Sequence, residues 1–330
     1  VSTIRDVATE AGVSISTVSL VLNTPSRVAP DTLQRVISAV DTLGYVPKAE
    51  AAARARRSVR RIGAVGPFTT HSAAMLRLAG LLVAAPDSGA EIVVYDEISA
   101  AKSPSPRLSA LPRNGSLDAL VIVSHPLDES IATAISDHSL PTVLVDTWHP
   151  GFSSIRTDDR EGGRLAGEHL LAGGLTAPGF IGEAQVSSSY LSPAGARLNG
   201  FRDALGAAGL ALQDANCVSV REDFATAREA ARHLLTSPQR PDGISASSDL
   251  LAAACLAEAR SLRIRIPEDL SVIGYDDGEV AQALELSTVH QPFEQCGRLA
   301  VEILTDSRPG QQVQDTMLRL EVVPRATTRV

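Results

Sequence analysis

At 330 residues the chain is long enough to bury more than one hydrophobic core. Its 44% hydrophobic and 21% charged residues suit a folded protein, and no stretch approaches the roughly 18 consecutive apolar residues that a membrane helix needs. Net charge is −8, and the three distant cysteines (Cys217, Cys255, Cys296) exclude a disulfide framework or a zinc knuckle and read as small core residues.

The N-terminal segment spells a compact helix-turn-helix. Thr3 followed by Asp6 is a capping-box start, and Ile4, Val7, Ala8 and Ala11 recur at helical spacing. Gly12 is placed for the left-handed conformation that ends the first helix and begins a sharp turn. Ser14 can cap a second helix in which Val18, Val21 and Leu22 face inward, leaving Ile15, Ser16, Ser19 and Leu20 on its outer N-terminal face. Pro30 suits the first turn of a third helix, whose expected buried stripe is Leu33, Val36, Ile37, Val40 and Leu43, with Gly44 as its stop.

Charge is uneven along the chain. Residues 1–61 hold nine Lys/Arg against five acids, a local surplus of four positive charges, so the remainder carries −12. Five of those nine cations fall within Arg54–Arg61. Beside a helix-turn-helix, such a run follows phosphates and adds affinity without sequence information.

From Arg61 onward short apolar runs alternate with helical stretches. Ile62–Val65, Ile92–Tyr95, Ala119–Val123 and Thr142–Val145 read as buried parallel strands, and Gly179–Gly182, Cys217–Val220, Gly243–Ala246 and Ser271–Gly274 repeat the pattern. Helices are expected at Glu161–Leu171, Ala194–Ala208, Thr226–Leu235 and Leu250–Ala259. Alternation of this kind gives doubly wound α/β sheets, and eight strands split evenly give two similar lobes. Phe293–Leu304 and Met317–Val323 are expected to cross back and complete them. Ligands of such sheets sit beyond the carboxyl ends of the strands, so a cleft between the lobes is the expected site.

Asp6-Val-Ala8, Ala11-Gly-Val-Ser14, Thr17-Val-Ser19, Asn23 and Gly44-Tyr-Val-Pro47 together are similar to the lac repressor family of bacterial transcription regulators. The resemblance continues through Arg61-Ile-Gly63, Asp159, Gly163, His169-Leu170, Arg197, Gly200-Phe201, Val272–Asp277, Gln291-Pro-Phe293 and Gly297, nearly the entire chain. It implies an all-α helix-turn-helix domain over residues 1–46, a hinge over 47–61, and a core resembling periplasmic sugar-binding proteins over 62–330. Lobe one of that core would take about 62–158 and 290–316, lobe two about 159–289 and 317–330.

The resemblance also implies residue roles. Ile15, Ser16 and Leu20 would read base edges, while Thr17, Ser19 and Asn23 would meet phosphates, with Thr3 and Arg57 in the same DNA-contacting set. Two positions depart from the family pattern. Leu20 stands where relatives often carry Arg or His, and cannot make the forked contact that recognises guanine. Arg54 stands where relatives carry a leucine that wedges into the minor groove; an arginine can enter a narrow groove but does not replace an apolar wedge. In the core, Asp276 and Arg197 would grip an effector, joined by Asp146 and by Ser248, where relatives commonly carry Asn. The plain alternative is that Asp276 or Asp277 caps the next helix. Phe68, Tyr190, Trp148 and Phe224 lie in expected loops after strands and suit stacking on a sugar ring. Tyr190 in place of a cationic group points to a carbohydrate rather than a purine.

No Gly-x-Ser-x-Gly elbow and no phosphate-cradling glycine loop follows a strand, the seven histidines lack metal-ligand spacing, and neighbouring pairs such as Asp158-Asp159 send their side chains apart. The expected function is therefore a ligand-responsive, sequence-specific DNA-binding repressor, with no enzyme activity, no cofactor and no metal. Its expected partners are a near-palindromic operator, a small sugar and a second copy of the chain, with no membrane. A polar, amphipathic start without signal-peptide character places it in the cytoplasm, on the nucleoid. The alternatives are a solute receptor of the binding-protein type and a carbohydrate-acting enzyme.

Overall fold

A computed structural model describes residues 3–23, 28–43, 61–97, 106–113, 115–184, 191–221, 223–306 and 312–329. The chain divides into two units, Val1–Ser58 and Val59–Val330. Expected hinge residues 47–60, including Arg54 and Arg57, lie outside the described residues, as do Gly44 and Tyr190; Arg61 begins a core strand instead of ending the hinge.

Three helices make the first unit: α1 (Ile4–Ala11), α2 (Ile15–Asn23) and α3 (Pro30–Leu43). Thr3 Oγ1 accepts from the Asp6 amide at 3.4 Å while the Thr3 amide donates to Asp6 Oδ2 at 2.7 Å, closing the capping box. Gly12 takes φ +61° and ends α1. The Ser14 hydroxyl accepts from the Thr17 amide at 3.1 Å and starts α2. Val7, Ala8, Ala11, Val18, Val21, Val36 and Ala39 form the core. Leu22 and Ile37, expected inside, are exposed. At 100° per residue, Ile37 sits a quarter turn from buried Val36, and Ala39 takes the inward place.

The second unit holds two sheets of six strands each among the described residues. In chain order its elements are β1 (Arg61–Gly66), α4 (Ser72–Ser88), β2 (Glu91–Asp96), α5 (Pro106–Ala110), β3 (Ala119–Val123), α6 (Glu129–Asp137), β4 (Thr142–Val145) and β5 (Ser153–Thr157). Then come α7 (Asp159–Ala172), β6 (Pro178–Glu183), α8 (Pro193–Ala207), β7 (Cys217–Val220), α9 (Phe224–Thr236), β8 (Gly243–Ala246), α10 (Asp249–Ser261) and β9 (Ser271–Asp276). The chain closes with α11 (Glu279–Ala283), β10 (Ser287–His290), α12 (Phe293–Asp306), β11 (Asp315–Leu318) and β12 (Glu321–Val323).

The sheet orders are β11-β5-β4-β3-β1-β2 and β12-β10-β9-β8-β6-β7. The first five strands of each lobe thus follow one spatial plan, with the order reversing at β1 and at β6. Among the described residues every strand pairing is parallel except that of β12 with β10. The eight expected strands are all present; β5, β10, β11 and β12 are added. The expected Met317–Val323 segment is split between lobes: β11 pairs with β5, and β12 pairs with β10. The last crossing therefore falls at residues 319–320, and a boundary at 316 would cut β11.

Both faces of each sheet are covered, which is why the strands read as continuous apolar runs. In β3, Ala119, Val121 and Val123 face α4 and α12, while Leu120 and Ile122 face α6. In β9, Val272 faces one cluster while Ile273 and Tyr275 face the other. The helix pairs on the two lobes touch through small residues. A Cβ at Gly200 of α8 would overlap the Arg160 carbonyl of α7, and a Cβ at Gly163 would overlap the Arg197 carbonyl. Gly200→Ala should therefore cost at least about 2 kcal/mol, as overpacking against a rigid backbone does. Thermal or denaturant unfolding checks this; an unchanged midpoint would contradict the backbone-on-backbone contact.

Candidate functional site

In the first unit, α2 presents Ile15, Ser16 and Leu20 outward, with Ile15 43% and Leu20 41% exposed, while Val18 between them is fully buried. Thr17 and Ser19 are half-buried at the edge of that face, and Thr3 is exposed at the head of α1. Asn23 ends α2, and its side chain lies outside the described set. Ile15 and Leu20, apolar side chains held out from α2, gain nothing in water. They suit contact with thymine methyls in a major groove.

The second candidate surface lies where the carboxyl ends of strands from the two lobes meet. Three of those ends turn through positive φ: Ser124 after β3 (50°), Asp146 after β4 (61°) and Asp276 closing β9 (116°). Non-glycine residues pay for such backbone, and the strain clusters at working sites. Here it aims short polar side chains off the sheet edge.

Asp146 does not stand alone. Its Oδ1 accepts from Arg77 Nη2 at 2.7 Å and its Oδ2 accepts from the Ser124 hydroxyl at 2.8 Å. Arg77, buried on α4, also donates Nη2 to Gln291 Oε1 at 2.9 Å and Nη1 to the Ala73 carbonyl at 3.0 Å, and lies over the Phe293 ring. Gln291 follows β10 at a lobe crossing, and its Nε2 donates to Asp276 Oδ1 at 2.7 Å. A continuous buried chain of polar groups therefore runs from lobe one to lobe two. Burial is the largest influence on Arg77 and opposes its charge, but the surrounding acidic groups, Asp146 foremost and then Asp276 and Asp159, together outweigh it and hold the guanidinium above its usual pKa.

Arg197 on α8 is 8% exposed. Its Nε donates to Asp159 at 2.8 Å, its Nη1 donates to the Ser247 carbonyl at 2.6 Å, and its guanidinium stacks 3.6 Å above the Tyr275 ring. Burial pushes the Tyr275 phenol well above its ordinary range. Nη2 of Arg197 has no protein acceptor among the described residues. Across the cleft mouth, His71 Nε2 lies 3.6 Å from Glu183 at the end of β6.

The remaining expected effector residues divide. Phe68 is 3% exposed and packs in the lobe-one core with Ile62, Ala74 and Val123, so the structure places it with packing residues rather than as a free stacking face. Ser248 is the N-cap of α10, accepting from the Leu251 amide at 3.4 Å. Phe224 begins α9 exposed, and Trp148 is exposed. The helix-capping alternative for the aspartates fails, because α11 is preceded by Gly278 with no side-chain cap. Asp277 instead pairs with Arg325 at 2.5 Å and His290 at 3.0 Å. The neighbouring acids point apart: Asp158 caps α7 while Asp159 holds Arg197. Burial pushes the Cys255 and Cys296 thiols up to about 12, which suits core residues.

The matched residues identify the two parts. Residues 3–48 match the model of bacterial regulatory proteins of the lacI family, and residues 167–328 match a periplasmic binding protein-like domain. The HTH-type transcriptional repressor PurR of Photobacterium profundum is 29% identical over 92% of this chain and 91% of its own length. The ribose operon repressor of Escherichia coli is 29% identical over 97% of each. The Lac repressor solved with ONPG in its repressed state aligns over 99% of both chains at 26% identity with a TM-score of 0.73. The regulator CelR in complex with cellobiose aligns over 99% of this chain and 100% of its own at 26% identity with a TM-score of 0.67. The chain carries a lacI-family DNA-binding domain followed by a periplasmic binding protein-like domain. It is a ligand-responsive, DNA-binding transcriptional repressor and not an enzyme, and the binding-protein and enzyme alternatives fall.

Sequence reasoning singled out Arg197 and Asp276 in this cleft and missed Arg77, Tyr275 and Asp249 as site residues. Arg77 had one signal, a lone cation inside the apolar stretch Ala73–Ala85. Asp249 Oδ2 accepts from the Gly278 amide at 3.0 Å and Oδ1 accepts from the Thr288 hydroxyl at 2.7 Å, so it fixes the turn that carries Asp276. Burial is the main reason its carboxyl is pushed from 3.8 up to about 6. The folded state thus holds this proton more tightly than the unfolded chain, and its contribution to stability is lost as pH rises from about 4 to about 6. That loss approaches about 3 kcal/mol. Asp249→Asn should remove it: the stability gap between variant and wild type should move by about that amount in the variant's favour between pH 4 and pH 7. A gap independent of pH in denaturant titrations would contradict a buried, proton-holding Asp249.

Proposed function

We propose that this repressor binds a near-palindromic operator as a homodimer and that a small carbohydrate, bound between the lobes by Arg197 and Asp276, controls that binding. The observation that carries the reading is the pair itself. Arg197 is locked by Asp159, Ser247 and Tyr275 yet keeps Nη2 for an acceptor, and Asp276 stands on the adjoining strand end in strained backbone. A guanidinium N–H donor and a carboxylate acceptor in one cleft match the vicinal hydroxyls of a sugar. The relatives solved with ONPG and cellobiose support that chemistry. Asp146 and Phe224 complete the proposed wall, with Ser248 and Phe68 behind it, and Tyr190 is kept as a proposed effector contact on the resemblance alone.

A second copy is supported by exposed apolar side chains on both lobes. Leu82 and Val83 project from α4, Val94 from the edge strand β2, Val280 from α11 and Leu284 from the C-cap of α11. One recognition helix reads few base pairs, and twofold symmetry doubles the site. Ile15, Ser16 and Leu20 are proposed to read bases, and Thr3, Thr17, Ser19, Asn23, Arg54 and Arg57 to follow phosphate or groove. No helix among the described residues is long and apolar enough to cross a membrane, and the proposed place of action is the nucleoid in the cytoplasm.

Operator titration of the full chain with and without sugar tests the proposal. Sugar should change operator affinity by about 5–150-fold, the ordinary range of such coupling. Asp276→Ala should abolish the response and leave operator binding without sugar intact, while Ile15→Ala should change the preferred half-site in a binding-site selection. A full response in Asp276→Ala would refute the cleft as sensor.

A further inference from the structure

We infer that the reading helix recognises the C5 methyl groups of pyrimidines, so that it distinguishes thymine from uracil and accepts 5-methylcytosine in place of thymine. The inference rests on the proposal that α2 reads bases through Ile15, Ser16 and Leu20. Side chains select purines by forked hydrogen bonding, Arg or Lys to guanine and Asn or Gln to adenine, and Glu or Asp select cytosine. From Ile15 to Leu22, α2 carries none of these. Asn23 is its one amide. It closes the helix about 12 Å beyond Ile15 at 1.5 Å per residue, whereas recognition helices reach base edges with their N-terminal residues.

What α2 holds outward is apolar. Ile15 is 43% and Leu20 41% exposed, and neither belongs to the core built around Val7, Val18, Val21 and Val36. Ser16 and Ser19 stand between them around the helix. The Ser16 hydroxyl shares a 2.7 Å hydrogen bond with that of Ser14, which bonds Thr17 Oγ1 at 2.8 Å and accepts from the Thr17 amide at 3.1 Å. These hydroxyls tie down the first turn, and a group that both donates and accepts does not tell one base edge from another. The thymine methyl is the one methyl group that the four bases present in the major groove. Contact with Ile15 or Leu20 removes that methyl and the side chain from water together, which is worth about fourfold in affinity for each methyl. At 100° per residue the two side chains leave the helix about 140° apart, so they meet different base pairs. Uracil keeps every hydrogen-bonding atom of thymine and lacks only the methyl. 5-Methylcytosine carries the methyl at the same ring position, so methylation of a cytosine placed there adds affinity.

Binding-site selection on random duplexes with the full chain supplies the probe, and titration of that duplex with altered bases is the test. Uracil for thymine should weaken binding about fourfold at each read position, and about tenfold or more when both half-sites are changed. Ile15→Ala should erase the penalty at one position and Leu20→Ala at another; both side chains lie outside the core, so the unit keeps its fold. A 5-methylcytosine–guanine pair at a read position should bind about fourfold more tightly than the unmethylated pair, with the gain lost in the same variant. Uracil duplexes that bind as tightly as thymine ones, a uracil penalty that persists in both variants, or a methylated pair no tighter than its unmethylated counterpart would overturn the inference. In any of these cases α2 still stands as the reader if Ile15→Ala shifts the selected half-site. If both variants select the parental site with parental affinity, reading by α2 fails, and the inference with it.

Discussion

The buried ion pair between Arg77 and Asp146 is the constraint on which the core depends. A guanidinium on a helix that otherwise presents Ala74, Leu78 and Leu81 to the sheet is tolerable only with a carboxylate against it. Asp146 supplies that carboxylate by turning off β4 at positive φ, where Ser124 fixes its second oxygen. Once satisfied, Arg77 has a donor left for Gln291, and through Gln291 the lobe-one charge pair reaches Asp276 of lobe two. Remove the first pair and the rest of the chain loses its reason to hold.

That connection lies beside the places where the chain passes between lobes. Thr157, at the first crossing, donates to the same Gln291 oxygen that Arg77 uses, at 3.3 Å. Gln291 is itself at the second crossing. Rotation of one lobe against the other must therefore stretch or re-pair a buried amide, and proteins hold such amides in a few discrete arrangements rather than a continuum. A ligand that takes up Asp276 competes with Gln291 directly. Sensing and lobe orientation share one acceptor.

Much of this was legible in the sequence. The Thr3–Asp6 cap, the Gly12 stop and the exposure of Ile15 and Leu20 follow from local spacing, because a three-helix unit has few ways to bury its stripes. The eight central strands were legible for a related reason: covered on both faces, they become unbroken apolar runs. Ser153–Thr157 and Ser287–His290 carry too many hydroxyls for that signal, and β11 and β12 are edge strands of four and three residues whose pairing is decided by tertiary context. Asp276 and Arg197 were found by resemblance. Arg77 was not, because nothing in a window around it says that Asp146, 69 residues on, will be its partner. Ser248, a candidate through the resemblance, caps a helix, and Phe68, a candidate through its place after a strand, packs a core; position in sequence locates a strand end without saying which way its side chains turn.

A double-mutant cycle on Arg77→Met and Asp146→Asn is the most direct measurement of the central pair, since asparagine accepts the left-handed backbone that Asp146 adopts. Each single variant leaves one buried charge uncompensated and should lose about 3–5 kcal/mol of unfolding free energy. The double variant should lose far less than the sum, a coupling of about 2 kcal/mol or more. Additive losses would contradict the account, because they would mean that Arg77 and Asp146 are held by their surroundings separately and that no charge pair anchors the connection between the lobes.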